Sequence, residues 1–397
     1  MKDVYERLLA AVNQQSEDGA VRIVAQYEPI GGPGEKVFPP TATEKGSKVP
    51  RYLVEPRYVD GEAVDVVHLD QVQSQANRCE TALLDAVRSG QIFLPHLELS
   101  AVSHGMPVRM TSLEAPHRSR DAYFRDCEDS SGTAFDDTAD GAALRDARDR
   151  DAGPYLRLSP ADLAYGVWDS HRKRRIQVKV ARAYQSSMFG VAPLVGVRAA
   201  GRADPLNLPG TDLVEISGSG WSPSKAGKAA KVKGVVQLNE LGHGMIPPSE
   251  GLGGVSVKSV HRTATLSLAK LAGMRFGESS EEFAGAARAL VAALALLGDR
   301  LAFAAPALSL RSGCDLVQVS ERVEWVRRGS EGRPGGEPLE LSTAREALEL
   351  FGIAEGRARE AGLEWACQPL ALRPKQALQQ AIDKSFAFAG AGAPEGE

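Results

Sequence analysis

The apolar residues of this chain form strand-like and helix-like segments in an irregular order, and that order limits the folds open to the chain. Alternating or β-branched runs predict strands over Val21–Glu28, Arg51–Tyr58, Ala63–Leu69 and Asp315–Val326. Apolar residues at helical spacing predict a helix after Asp70 and a core helix over Glu281–Leu297. Because these segments do not repeat as βαβ units, the pattern favours an α+β fold over a doubly wound sheet.

The helix after Asp70 has the clearest sequence boundaries. Asp70 and Gln73 stand at the spacing of a capping box, and Gly90 follows the expected end. The apolar stripe Val72, Ala76, Cys79, Leu83 and Val87 is expected to face the core, which places Gln75, Asn77 and Arg78 off that face. These polar residues either meet a ligand or a neighbouring subunit, or form an ordinary solvated helix face.

Several shorter segments complete the expected secondary structure. Asp212–Ile216 and Val232–Leu238 read as the two sides of a long hairpin, with the basic stretch GSGWSPSKAGKAAKVKG at its tip. Further strands are predicted over Ile92–Val102, Ile176–Arg182 and Val255–Val260, and a short helix over Thr265–Leu271. The strand at Ile176–Arg182 has an apolar face and a basic face, which suits a phosphate track or a guarded sheet edge.

Charge is separated along the chain, although the formal net charge is only −4. Residues 171–235 hold twelve lysines and arginines against three acidic residues, whereas residues 118–151 hold ten acidic residues against six arginines. The acidic stretch, 116–151, is predicted to be a helical or loop insertion that stands away from the core. The basic run Arg172–Arg175 follows Trp168 and His171, so cations and a stacking ring are gathered as a nucleic-acid backbone requires. The alternative is a solvated basic face.

Other classes of function lack their motifs. The longest apolar run, Ala289–Leu297, is far shorter than the roughly 20 residues of a membrane span, so we expect a cytoplasmic protein with no membrane contact. The four cysteines form no CxxC pair and the seven histidines no HExxH motif, and a phosphate-loop spacing fails at Ser222 and Ala229. Neither a metal nor a cofactor is therefore expected. Asp169, Ser170 and His171 are consecutive and diverge on any regular element, so they do not form a triad.

Four sequence blocks, taken together and in order, resemble one known family. They are LDQVQSQANRCETALL from Leu69, YGVWDSHRKRR from Tyr165, NELGHGMIPPSEGLGG from Asn239 and SVHRTATLSLAKL from Ser259. The chain resembles, over roughly Val21–Val326, the crRNA-binding backbone subunit ("Cas-seven" family) of the CRISPR-associated RAMP superfamily, in the form found in type I-G (formerly I-U) Cascade. The acidic stretch and everything after Arg327 are the regions of weakest likeness.

The resemblance implies an RRM-like (ferredoxin-like) palm over residues 1–327, with a finger-like insertion at 116–151 and a thumb-like hairpin at 200–254. A linker at 328–341, a helical part at 342–388 and a disordered tail at 389–397 would follow. It further implies a non-catalytic subunit that oligomerises head to tail as a helical filament along the crRNA spacer and presents the guide to target DNA in antiviral defence. Its partners would be crRNA, target DNA, further copies of itself, other Cascade subunits and a separate helicase-nuclease.

The resemblance and the charge pattern together name candidate RNA-binding residues. At the first helix and in the second block they are Gln73, Gln75, Asn77, Arg78, Trp168, His171, Arg172, Lys173, Arg174, Arg175 and Lys179. In the thumb and the fourth block they are Lys225, Lys228, Lys231, Lys233 and Arg262. Met245 and Ile246 are candidate thumb wedges that displace one nucleotide at intervals.

Three alternatives remain open at this stage. The first is a metal-independent ribonuclease of the same superfamily, in which His171 or another histidine, with a nearby Lys, cleaves CRISPR repeat RNA. The second is a backbone subunit that cleaves target through an acidic loop residue and a divalent metal, as in related type III complexes. The third is a basic interaction module without any CRISPR role.

Overall fold

The computed structural model describes residues 1–13, 16–43, 46, 49–148, 151–169, 179–217, 220–225, 234–327, 329, 335–365 and 368–388. The helices within these ranges are α1 (Lys2–Ala11), α2 (Val72–Arg88), α3 (Ala122–Arg125), α4 (Ala139–Asp146), α5 (Gly153–Leu158), α6 (Ala161–Tyr165), α7 (Leu268–Ala272), α8 (Glu281–Phe303), α9 (Ala344–Glu360) and α10 (Gln376–Phe388). Short 3-10 helices lie at Arg118–Arg120 and Phe135–Asp137.

The strands up to the second sequence block are β1 (Asp18–Pro29), β2 (Lys36–Val37), β3 (Thr41–Thr43), β4 (Pro50–Tyr52), β5 (Val54–Val59), β6 (Glu62–Asp70), β7 (Leu97–Ser103), β8 (Met106–Thr111), β9 (Cys127–Glu128) and β10 (Val167–Trp168). Those that follow are β11 (Lys179–Val180), β12 (Tyr184–Val191), β13 (Leu194–Arg202), β14 (Leu213–Ser217), β15 (Gly220–Pro223), β16 (Val235–Gln237), β17 (Ile246–Ser256), β18 (Ser259–Ser267), β19 (Ala307–Arg311), β20 (Cys314–Arg327), β21 (Gly335–Pro338) and β22 (Leu370–Pro374).

The largest sheet contains the palm. Its strands follow the order β19-β20-β1-β18-β12-β6-β5, with β21 also paired to β20, and neighbouring strands are antiparallel. Six elements occur along the chain as β1, α2, β12, β18, α8 and β20, and their four strands lie in the order β20-β1-β18-β12. Numbered within this unit, the sheet order is 4-1-3-2, the ferredoxin-like β-α-β-β-α-β arrangement. The predictions of an α+β fold and of an RRM-like palm are confirmed.

One face of the palm sheet packs against helices α2 and α8. Val21 and Ile23 of β1 are buried on this face, whereas the alternate residues Arg22 and Val24 point to the other. Helix α8 is apolar on nearly every side, as a fully buried helix must be, and the Ser280 side chain accepts the Phe283 N–H at its start, 3.1 Å away. The predicted core helix is confirmed and continues to Phe303.

Helix α2 begins differently from the prediction. Gln71 is its N-terminal cap without a side-chain hydrogen bond, and Asp70 is the last residue of β6. The capping box is wrong because the Asp70 carboxylate accepts from Gln75 Nε2 at 2.6 Å and from Arg78 Nε at 2.8 Å instead. The predicted end at Gly90 is confirmed: its φ is +73°, and the Gln91 N–H reaches the Ala86 carbonyl at 2.9 Å, as in a Schellman motif.

The acidic stretch does not stand away from the core. Phe124, Phe135 and Leu144 are fully buried and belong to the main hydrophobic cluster. Aromatic and aliphatic residues therefore face inward at intervals, and the carboxylates lie around them in local ion pairs such as Arg125–Asp126 and Arg145–Asp146. The predicted detached insertion is wrong because three widely spaced apolar side chains are enough to anchor a chain segment.

The thumb region is a paired arm with a smaller sheet at its far end. Strands β13 and β17 pair antiparallel from Leu194–Ser256 to Arg202–Ile246. Strand β14 pairs with β16, as the predicted hairpin requires, and also with β15, which the prediction missed. The single strand predicted at Val255–Val260 is wrong, because the chain reverses between β17 and β18 there. The helix predicted at Thr265–Leu271 begins only at Leu268, after the Ser267 cap.

The C-terminal part is more than a helical appendage. Between α9 and α10, strand β22 pairs parallel with β7 and antiparallel with β9. The linker predicted at 328–341 contains β21, which pairs with β20. Residues 389–397, predicted to be a disordered tail, lie outside the described residues.

Candidate nucleic-acid interface

The second sequence block forms a small ridge, defined here as strands β10 and β11. Val167 pairs with Val180, and Trp168 pairs with Lys179. The Trp168 side chain is 49% exposed, and Lys179 Nζ lies 5.8 Å from its ring centroid, within cation–π distance. The ridge therefore presents an indole face beside a cation, which suits a stacked base and its phosphate. His171, Arg172, Lys173, Arg174 and Arg175 lie in residues 170–178, outside the described residues.

Two arginines of the acidic stretch hold the base of the ridge. Arg118 donates to both Glu80 oxygens, at 2.5 and 2.8 Å, and to the Gly166 carbonyl at 2.9 Å. Arg120 Nη2 donates to Asp169 Oδ2 at 2.6 Å. We call Glu80, Arg118, Arg120 and Asp169 the clamp. Because Glu80 belongs to α2, Arg118 joins the helix of the first sequence block to the ridge of the second.

Glu80 of the clamp and the nearby Asp162 are buried carboxyl groups with raised pKa values. Burial raises the pKa of Glu80 to about 7, although Arg118 counteracts part of that rise. Burial also raises the pKa of Asp162 to about 6, although Ser119 donates a hydrogen bond to it and Arg118 lies nearby. The clamp therefore includes one carboxyl group, and lies near a second, whose charge changes in the neutral to mildly acidic range.

The first turns of α2 present part of the predicted surface. Gln73 and Asn77 are exposed. Asn77 and Arg78 line a groove of about 460 Å³ between α2, the end of α8 and β19. Arg78 is only partly available, because its Nε donates to Asp70 at 2.8 Å and its Nη2 donates to the Leu310 carbonyl at 2.6 Å.

Gln75 and Arg262 are not on any surface. Both are fully buried, and Gln75 Oε1 accepts from Ser186 Oγ at 2.7 Å and from Arg262 Nε at 3.1 Å. The expectation that Gln75 lies off the core face is wrong, because its amide joins α2 to strands β12 and β18. Arg262 is likewise corrected from an RNA contact to a structural cation between the sheet and the helices.

Arg262 and Asp299 form the centre of this buried network. The Asp299 carboxylate is bonded by Arg262, by Arg300 and by the Tyr184 hydroxyl. Burial alone would raise the pKa of Asp299, but the two arginines lower it to about 2. Arg300 continues the network to Glu321 of β20, at 2.6 Å. Asp299 thus pairs with both buried arginines, Glu321 is a second carboxylate partner of Arg300, and the network ties α8 to the sheet.

The thumb exposes both candidate wedges. Met245 is 51% exposed and Ile246 is 45% exposed, at the far end of the β13–β17 arm. Arg202 Nε donates to the Gly244 carbonyl at 2.9 Å and so fixes the turn before them. Lys225 is exposed, whereas Lys228, Lys231 and Lys233 lie outside the described residues.

The sequence prediction missed Arg118 and Arg120. Both lie in a stretch where carboxylates outnumber arginines, so the sequence suggests that each arginine pairs with a neighbouring carboxylate. A signal was present in the tripeptide Arg118-Ser119-Arg120, because it precedes the capping residue Asp121 and places two cations together. Their distant partners Glu80 and Asp169 are visible only in the folded chain.

The described residues show neither a metal cluster nor a reactive cysteine arrangement. No group of three or more His, Cys, Asp or Glu side chains among them converges as metal ligands do. Cys79, Cys127 and Cys314 are buried and free. Among the described residues, no helix has the length and apolar composition of a membrane span.

Comparison with known proteins gives one family match. Residues 21–193, less than half of the chain, match the family model described as CRISPR-associated protein GSU0053. This segment is similar to a CRISPR-associated family. It contains α2, the clamp and β10–β11. No curated protein matches the chain.

Solved structures that match this chain include a chain of a "CRISPR RNA-guided surveillance complex, pre-nicking", with 12% sequence identity, coverage of 92% of this chain and 99% of that chain, and a TM-score of 0.34.

Proposed function

We propose that this protein is the non-catalytic crRNA-binding backbone subunit of a type I-G Cascade surveillance complex. The observation that carries the proposal is the match of residues 21–193 to a CRISPR-associated family, since that segment contains both of the first two sequence blocks. The clamp joins these blocks through Arg118, so the residues that resemble the family's RNA-binding signature belong to one connected structure.

The chemistry of the exposed residues supports binding without base-specific readout. The ridge offers an indole ring and a cation, which accept any base and any phosphate. In guide-directed complexes, base pairing supplies sequence specificity, so the protein needs only shape and charge complementarity. Copies of the subunit would follow one another along the spacer, in contact with target DNA and other Cascade subunits, and a separate helicase-nuclease would cleave the target.

The test is co-expression of the full chain and its complex partners with CRISPR arrays of three spacer lengths. Particle mass and RNA content are measured after purification. We expect RNA-bound particles whose mass increases with spacer length, and we expect the double variant Trp168→Ala, Lys179→Ala to reduce RNA retention. Glu355→Ala, on the exposed face of α9, is the matched control.

Two results would contradict the proposal. Particles whose mass is independent of spacer length would remove the backbone role. Multiple-turnover cleavage of repeat RNA by the purified chain would favour the ribonuclease alternative.

A further inference from the structure

The direction in which Trp168 points is set by its two neighbours. Val167 and Asp169 are both buried, whereas Trp168 between them is exposed. Successive side chains of an extended segment point to opposite sides. Contacts that hold Val167 and Asp169 in the core therefore direct the indole toward solvent.

Arg120 supplies such a contact to Asp169. The Arg120 and Asp169 side chains are 1% and 6% exposed, so their contact is a buried ion pair. A charge-assisted hydrogen bond between two buried side chains restricts both of them to a narrow range of geometries. The segment therefore has one preferred arrangement, with Asp169 inward.

Arg118 fixes the other side of the ridge. It holds the Gly166 carbonyl and Glu80 at once. Gly166 has a φ of +84°, and an added Cβ there would lie 2.8 Å from the Arg182 backbone nitrogen. The turn that leads into β10 therefore packs against the Arg182 backbone, and Arg118 attaches it to α2.

We propose that Arg118 and Arg120 are positioning residues for nucleic-acid binding, which hold Trp168 and Lys179 in the arrangement that a single strand contacts. The inference rests on the proposed function, since it assigns the clamp a role in binding. Neither arginine touches the strand in this scheme; each acts through the ridge. A ring and a cation held in place in advance bind without the cost of ordering them.

The test compares Arg120→Ala and the milder Asp169→Asn with the conservative Arg120→Lys, all in the full chain. Arg145→Ala is the matched control, because Arg145 is an arginine of the same stretch that pairs locally, with Asp146 and the Asp136 carbonyl. Hydrogen exchange of peptides covering residues 164–169 and 179–183 reports on the ridge. Fluorescence anisotropy with a labelled single-stranded oligouridylate reports on binding over a range of salt concentrations.

We expect Arg120→Ala and Asp169→Asn to raise exchange in these two peptides alone and to weaken RNA binding about tenfold, which is a loss of about 1.4 kcal/mol. The slope of log affinity against log salt should become shallower by about 0.7 for each phosphate contact that is lost. Arg120→Lys keeps the charge and should restore both readouts, and Arg145→Ala should match the unaltered protein.

Unchanged binding in a folded Asp169→Asn variant with increased ridge exchange would overturn the positioning role. Unchanged exchange would overturn the clamp itself. If the unaltered protein binds no RNA while the variants still raise exchange in the ridge, the clamp is real but the proposed function fails. The binding role of the clamp then fails with it.

Discussion

Asp299 has no solvent-exposed surface and compensates two arginines that are equally buried. The Asp299→Asn substitution keeps the shape of the side chain but removes the charge that Arg262 and Arg300 share. We expect the free energy of unfolding to fall by about 3–5 kcal/mol, the usual loss when a buried pair is broken. Urea unfolding followed by circular dichroism measures it.

The matched control for that experiment is Glu355→Gln, which removes an exposed ion pair with Arg359 on α9. Exposed pairs contribute about 0–1 kcal/mol. Equal losses in the two variants would show that the Asp299 network does not hold the palm together.

Glu80 makes the free energy of unfolding depend on pH in the direction opposite to that of an ordinary salt-bridged carboxylate. Its pKa is raised to about 7 by burial despite Arg118, against about 4.3 in an unfolded chain. Between these values the folded state binds more protons than the unfolded state, so the Glu80 contribution to stability falls as pH rises. That contribution is complete below the unfolded pKa and is lost by pH 7.

Glu80→Gln isolates this effect. The free energy of unfolding of the unaltered protein minus that of the variant should decrease from pH 4.5 to pH 7, by about 3 kcal/mol for the pKa rise involved. Chemical unfolding at several pH values measures the difference. Parallel pH profiles for the two proteins would contradict the raised pKa.

Single polar residues were the weakest part of the sequence prediction. Periodicity correctly placed Ala76, Cys79 and Leu83 in the core, but it assigned Gln75 to the surface. An amide is buried at no net loss only if every polar group finds a partner, and here the partners are Ser186, Arg262 and Asp70. Those partners come from other elements, so no local pattern reveals them.

At the level of secondary-structure elements, Gly244 lies in the turn before the candidate wedge residues of the thumb. Its φ is +83°, and an added Cβ would lie 2.4 Å from the Gly210 Cα. Gly244→Ala should therefore destabilise the turn that presents Met245 and Ile246, by about 1–3 kcal/mol of local strain. Hydrogen exchange of peptides from residues 203–217 and 234–245 should increase.

Gly251→Ala is the control within the same arm. Gly251 lies in β17, has no positive φ and has open space where a Cβ would be. Similar exchange in the two variants would show that the turn tolerates a side chain and does not fix the wedge residues.

Elements with strong periodicity were predicted well, and those made by pairing were not. Helix α8 and strands β1 and β20 lie close to their predicted bounds, because burial on one or both faces dictates their apolar pattern. Strands β21 and β22 were missed, since each is only four or five residues long and exists through its pairing partners β20 and β7. The ridge strand β10 was missed for the same reason, whereas β11 lies within the strand predicted at Ile176–Arg182.

At the scale of the whole molecule, charge separation predicts how copies meet. Head-to-tail assembly places different surfaces of the same chain against each other, and an acidic surface facing a basic one favours that contact. Substituting Asp136, Asp137 and Asp140 by Lys should impair assembly on RNA, as measured by particle mass at a fixed spacer length.

Three acidic residues of α9, Glu349, Glu355 and Glu360, give the same change in charge when replaced by Lys, away from that stretch. They control for a nonspecific effect of added positive charge on RNA binding. Normal assembly of the Asp variant would eliminate the acidic stretch as a contact surface.

The central position of β1 has a consequence for how the chain folds during synthesis. Its two neighbours in the sheet, β18 and β20, come from residues 259–267 and 314–327. Strand β1 leaves the ribosome before both of these neighbours and stays unpaired on both edges until they have been made. The arm of β13–β17 has both strands within one segment and can form first. Pairing over such separations is slow, and the open edges of β1 make the nascent chain vulnerable to aggregation until β20 closes the palm.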